Sequence, residues 1–159
     1  MVVQGVTAYH GFVNSNHNLQ TQDSSMLSST QGSPPNRILV VEDDLATRQL
    51  SAAVLTASGY HVDTAEDGAA GLEALHRTSY DLLITDNAMP RVSGLELVKQ
   101  LRFARMTLPV VLASGTIPPE VLDGQPPLQI AATLLKPFTT DELVATVKQV
   151  LRAAQAAPD

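Results

Sequence analysis

The 159-residue chain contains no cysteine. That absence removes disulfide cross-links, thiolate chemistry and Cys-ligated zinc together. Positive charge is scarce as well: ten Lys and Arg stand against sixteen Asp and Glu, the formal net charge is −6, and the basic residues are scattered. Binding to nucleic acid through counterion release needs a concentrated basic face, so a nucleic-acid surface is not expected. No apolar run approaches the roughly eighteen residues of a membrane span. The N-terminus also lacks the basic-then-apolar order of a secretory signal. These absences predict a soluble, cytoplasmic protein with no membrane partner. The four histidines show no metal-ligand spacing. The glycines form no phosphate-cradling GxxxxGK loop, and no Ser-His-Asp set is visible.

What is present begins at Arg37. Residues 1–36, rich in Gln, Asn and Ser in VNSNHNLQTQDSSMLSSTQGSPPN, show no periodicity and bury too little apolar surface to offset their ordering entropy. They are expected to form a disordered tail. RILVV (37–41) is a continuous apolar run too short for a helix and is expected to be a buried strand. A helix follows, with Leu50, Ala53, Val54 and Ala57 on one face and Gly59 as its stop. YHVDTA (60–65) alternates like a strand, and 67–77 is a short helix with Leu72 and Leu75 inward. LLIT (82–85) is the third strand, and 94–105 a helix with Leu95, Val98 and Leu101 along one stripe. LPVVLAS (108–114) is the fourth strand. In the next segment Pro118 and Pro119 start a helix of about two turns, which Gly124 and Pro126-Pro127 end. A short strand at 133–135 precedes a last helix opening near Thr140-Asp141. Strands alternating with helices specify an α/β fold, a parallel sheet covered on both faces. In such sheets functional groups gather at the carboxyl ends of the strands.

The residues at those ends are unusually polar. The first strand runs into Glu42-Asp43-Asp44, the third into Asp86, the fourth into Ser114-Gly115-Thr116 and the fifth into Lys136-Pro137-Phe138. Asp44 also suits the N-terminus of the following helix, where an acid meets the helix dipole favourably, but three acids exceed what a cap requires. Carboxylates brought together repel, and one of them protonates unless a cation joins them. Mg²⁺ suits such an oxygen site. With Lys136 and a small hydroxyl beside them, the set has the composition needed to place a phosphoryl group on the Asp86 carboxylate.

The order VVEDD, TDNAMP, ASG, KPF, each ending a predicted strand, resembles the receiver domain of two-component response regulators, of the CheY-like superfamily. The resemblance covers residues 37–154 and leaves 155–159 as a short tail. It implies a doubly wound, flavodoxin-like sheet of five strands in the order 2-1-3-4-5. It also implies that Asp86 accepts the phosphoryl group and Asp43 binds Mg²⁺ directly. Glu42 would assist, the main-chain carbonyl of Ala88 would be a third protein ligand, and Ser114 and Lys136 would contact the phosphoryl oxygens. A cis bond before Pro137 is implied too. The implied partners are a histidine kinase or a histidine phosphotransfer protein and an unidentified downstream protein.

Two features depart from the family pattern. Thr133 stands where an aromatic or His is usual, three residues before the lysine, and prolines crowd the fourth-helix segment. Ala88 and Thr116, at the positions that tune phosphoryl lifetime, offer no carboxylate or carboxamide to orient water, so slow self-dephosphorylation is expected. Only Ala153–Asp159 follow the last expected helix, and the expectation is a stand-alone receiver that is not a conventional enzyme and catalyses only its own phosphorylation and dephosphorylation. A scaffold working without phosphorylation is the alternative. A phosphatase of the haloacid-dehalogenase type fits poorly, because the second aspartate such enzymes need is Ala88 here.

Overall fold

The computed structural model describes residues 32–124 and 128–158. Residues 1–31 of the tail expected over 1–36, and the helix-ending role given to Pro126-Pro127, lie outside those residues. Residues 32–36 have no regular structure, and β1 begins at Arg37. The elements then follow as β1 (Arg37–Val41), α1 (Leu45–Ala57), β2 (His61–Ala65), α2 (Gly68–Arg77), β3 (Leu82–Asp86), α3 (Gly94–Phe103), β4 (Val110–Ser114), α4 (Pro119–Leu122), β5 (Ala132–Leu135) and α5 (Thr140–Ala156). The strands form one parallel sheet in the order β2-β1-β3-β4-β5, as expected.

The apolar runs of β1, β3 and β4 are continuous because both faces of these strands are covered. Successive side chains point to opposite faces. Leu39, Val41, Leu83, Val110 and Leu112 therefore pack with Leu75 of α2 and Leu95, Leu97, Val98 and Leu101 of α3. Ile38, Val40, Leu82, Ile84 and Val111 pack on the other face with Leu55 of α1 and Leu143, Val147, Val150 and Leu151 of α5. The outer strand β2 is half-exposed, and its alternation was legible for that reason.

Several expected boundaries move for local reasons. In α1 the stripe of Leu50, Ala53, Val54 and Ala57 is not the packed face: Leu50 is 57% exposed, while Ser51 and Leu55 are buried. Asp44 caps this helix through its side chain on Thr47 N, and Arg48 turns back onto the β1–α1 carbonyls. Those two contacts fix the rotation, so that 48, 51 and 55, spaced three and four apart, face the sheet. Helix α3 stops at Phe103 because Arg105 enters the left-handed region at φ 60°. Helix α4 is a single turn rather than two, ended by Gly124 at φ 59°. The cap of α5 is Thr139, not Thr140 or Asp141, in a reciprocal capping box with Glu142, and the helix runs to Ala156.

The amino ends of the strands are stapled by two arginines. Arg37 donates from Nε to Asp63 Oδ2 (3.1 Å), with Nη2 2.9 Å from the same oxygen, and Tyr80 donates to it at 2.8 Å. His61 Nε2 lies 3.8 Å from the other oxygen of Asp63. Across the sheet, Arg102 donates to four main-chain carbonyls, those of Met106, Leu108, Leu128 and Gln129, at 2.7–3.1 Å. This ties the end of α3 to the segments entering β4 and β5.

Burial acts to raise the Asp63 pKa, but hydrogen bonds from Tyr80 and Arg37 and the Arg37 charge outweigh it and hold the carboxyl below its ordinary 3.8. The same neighbourhood drives the Tyr80 phenol up to about 12. A depressed carboxyl contributes stability that is present above its unfolded pKa and lost as pH falls through its folded pKa. Asp63→Asn should therefore lower stability near neutrality, and the gap from wild type should close as pH falls below about 4. Urea unfolding between pH 2 and 7 measures this; a gap independent of pH would refute the ionic origin.

A second constraint sits at the start of α3. A Cβ on Gly94 would collide with the main-chain oxygen of Asp86 and lie 3.0 Å from Asn87 Cα, whereas Gly115 has open space around it. Gly94→Ala should cost about 1–3 kcal/mol, the range for forced overpacking, with Gly115→Ala near neutral. Denaturant midpoints of the two variants decide it.

Candidate functional site

Four strand ends build the carboxyl edge of the sheet. Glu42 extends the β1–β2 ladder by one bond, Glu42 N to Ala65 O at 3.1 Å, and its side chain is buried. Its Oε1 accepts from Asp44 N at 3.1 Å, closing the turn that leaves Asp43 exposed. Asp86, 4% exposed, is the last residue of β3. One ligand oxygen each from Glu42, Asp43 and Asp86 lie within 4.8 Å of one another. The structure thus brings together the three acids expected to hold a cation.

Lys136 follows β5, its amide donating to Ser114 O at 2.9 Å, and the Lys136–Pro137 bond is cis as the resemblance implies. Its Nζ lies 3.0 Å from Glu42 Oε2 and 3.0 Å from Asp86 Oδ1. Only the first contact has hydrogen-bond direction; Asp86 Oδ1 is buried without a hydrogen-bond donor among the described residues. The second contact is therefore an ion pair by distance alone. Burial acts to lower the Lys136 pKa, but its contacts with Glu42 and Asp86 more than reverse this and raise it, so the ammonium stays charged. Glu42 is shifted up, chiefly because burial disfavours its charge, with the Asp86 charge adding to that and Lys136 only partly opposing it.

One ammonium among three carboxylates leaves two negative charges uncompensated. Together with the unpartnered Asp86 oxygen, that excess is what a hard divalent cation with oxygen ligands relieves. The donor set fits Mg²⁺.

Ser114 ends β4, one position beyond Ala113, the register partner of Asp86. Its Oγ accepts a long bond from Thr116 N (3.4 Å) and makes no hydrogen bond to the acids among the described residues. It is at the edge of the group rather than within it. Ala88 is exposed in the loop after β3. That loop is shaped by a residue the sequence reading passed over. Asn87 accepts from Met89 N and Gly94 N through its main-chain oxygen and from Leu95 N through Oδ1 at 3.1 Å. An Asn directly after a strand-ending Asp is the signal that pointed to it, since its side chain readily caps nearby amides. Ser93 and Glu96 add a capping box to α3, legible as S-x-x-E. Thr133 is half-buried opposite Leu112, lining a surface hollow of about 500 Å³ with Ile117, Leu135, Phe138 and Gln149.

Comparison with known proteins agrees with this geometry. Residues 38–148 match the model of the response regulator receiver domain. The chain is 38% identical over 120 residues to the probable transcriptional regulatory protein SilR of Salmonella typhimurium, covering 73% of this chain and 51% of that one. It is 36% identical over 151 residues to the alkaline phosphatase synthesis transcriptional regulatory protein SphR of Synechococcus elongatus, covering 86% and 58%. The chain therefore spans about half the length of the curated relatives it matches. Among solved structures, chemotaxis protein CheY4 of Vibrio cholerae superposes with a TM-score of 0.68 at 29% identity, over 73% of this chain and 98% of that one. The response regulator TrrA of Thermotoga maritima, solved with Mg²⁺ and BeF, gives 0.63 at 32%, over 72% and 98%. No described helix is long and apolar enough to cross a membrane. The sheet order, the acidic edge with its lysine and the match over more than half of its residues agree on one conclusion: this chain belongs to the response regulator receiver domain family.

Proposed function

We propose that this receiver domain accepts a phosphoryl group on Asp86 from a histidine kinase or histidine phosphotransfer protein and signals through an altered protein-binding surface. The observation that carries the reading is the buried Asp86 oxygen that accepts no hydrogen bond among the described residues and sits beside Lys136, Glu42 and Asp43. In the proposed reaction an Asp86 oxygen attacks phosphorus in line. The P–O bond to Asp86 forms as the P–N bond to the donor's imidazole breaks, and the imidazole leaves with the electron pair. Lys136 stays protonated and faces the negative oxygens of the transferring group. Asp43, Glu42, Asp86 and the Ala88 carbonyl would hold Mg²⁺. That ion, when bound, neutralises charge on the acids and on the phosphoryl oxygens. Ser114, already at the edge of the group, donates a hydrogen bond to the new phosphoryl group and draws the end of β4 with it.

Of the proteins named above, SphR is a transcriptional regulatory protein and SilR a probable one. A role in gene regulation is thus a reading for the whole protein, and the acidic balance of this chain does not exclude it. Thr133 in place of a ring and the one-turn α4 favour a second reading, a receiver-like scaffold that binds partners without phosphorylation.

Intact mass after incubation with acetyl phosphate separates the two. Wild type should gain one phosphoryl group only with Mg²⁺ present, and Asp86→Asn should gain none. No gain in folded wild type, with acetyl phosphate or with kinases, would favour the scaffold. The phosphorylated form should also be long-lived, because Ala88 and Thr116 offer no carboxylate or carboxamide to orient an attacking water. Ala88→Asn should shorten its lifetime several-fold in a mass-spectrometric time course, and an unchanged lifetime would remove Ala88 as the cause.

A further inference from the structure

We infer that Arg48 is a positioning residue for the cation-binding acids, acting through their main chain rather than through their carboxylates. This deepens the proposed function and rests on it. Arg48 lies one turn into α1, half-buried, on the side of that helix facing the sheet. Its Nη1 donates to the main-chain oxygen of Glu42 at 2.7 Å and lies 3.4 Å from that of Asp43. The turn between β1 and α1 is thus held from two directions. Glu42 Oε1 closes it on Asp44 N, and Arg48 closes it on the carbonyls.

The two acids differ in what else restrains them. Glu42 is buried and hydrogen-bonded to Lys136. Asp43 is exposed, and no hydrogen bond or ion pair holds its carboxylate among the described residues. The direction in which Asp43 presents its oxygens therefore depends on its backbone, which Arg48 holds at the carbonyls while the Glu42 side chain closes the turn on Asp44 N. One nitrogen, Nη1, faces both carbonyls, and the planar guanidinium that carries it keeps its N–H directions fixed. Outer groups that orient metal ligands typically matter by 10–100-fold in affinity.

The inference makes a prediction opposite in sign to simple electrostatics. Arg48 is a cation beside an acidic cluster, so if charge were its only effect, removing it would strengthen Mg²⁺ binding. If it positions Asp43, removing it weakens binding. The experiment is a titration of the full chain with Mg²⁺ alone, followed by amide NMR shifts of Asp43 and Asn87. Wild type, Arg48→Ala and Arg48→Lys are compared, with thermal unfolding alongside. Arg48→Ala should bind Mg²⁺ about tenfold more weakly, with Arg48→Lys in between. The acetyl phosphate reaction of Arg48→Ala should need more Mg²⁺ and then reach the wild-type rate at saturation. Wild-type or tighter affinity in Arg48→Ala overturns the inference and leaves the phosphoryl-acceptor reading standing. No Mg²⁺ binding by wild type overturns both. Should Arg48→Ala fail to fold, Arg48→Lys carries the same comparison, and undiminished affinity in it overturns the inference.

Discussion

Two carboxylates buried at the ends of the central strands have to be reconciled with each other, and Lys136 is what reconciles them. Glu42 and Asp86 are each about 95% hidden from solvent on neighbouring strands, and burying like charges together is costly unless a counter-charge joins them. A single ammonium 3.0 Å from both ties the end of β5, at one edge of the sheet, to β1 and β3 at its centre. The compensation is partial. That shortfall is what a hard cation with oxygen ligands would relieve.

The helices serve this edge as much as they serve the core. Asp44 caps α1, Ser93 caps α3 with Glu96, and Asp67 caps α2. Each helix therefore starts at the edge where its preceding strand ends, with its amides directed there. Gly94 lets α3 start against the Asp86 carbonyl, closer than any side chain permits. The aspartate is held through its main chain, by Thr85 Oγ1 on its oxygen at 3.0 Å and by this close approach, while its Oδ1 accepts no hydrogen bond among the described residues and carries only the ion pair to Lys136.

Much of this was legible in the chain itself, and the parts that were not share a cause. The strands β1, β3 and β4 are apolar runs of fixed length, and the polar residues after them stand out by contrast. Once the strands are parallel, Glu42, Asp43, Asp86 and Lys136 must meet at one edge, so the cluster follows from topology. Ser114 could be placed at that edge but not in contact, because a hydroxyl at a strand end carries no directional signal. The packed face of α1 was misjudged because Leu50 and Ala53 match the helical period as well as Ser51 and Leu55 do. What decides between the two is the contact Arg48 makes with carbonyls, and main-chain acceptors leave no trace in side-chain spacing. The same blindness hid Arg102. Helix α4 came out a turn short because proline marks where a helix starts and glycine where it stops, and neither fixes how many residues between them remain helical.

The two arginine staples at the amino edge are unlike in one respect. Arg37 grips a carboxylate, an acceptor that acid can discharge, whereas all four acceptors of Arg102 are peptide carbonyls, which do not titrate. At the amino edge acidification consequently acts on one staple only: the β1–β2 flank loses a partner for its guanidinium, while the Arg102 contacts on the flank leading into β4 and β5 have no acceptor that titrates. At that edge the response to acid is set by the choice of acceptor, with the same donor residue type on both flanks.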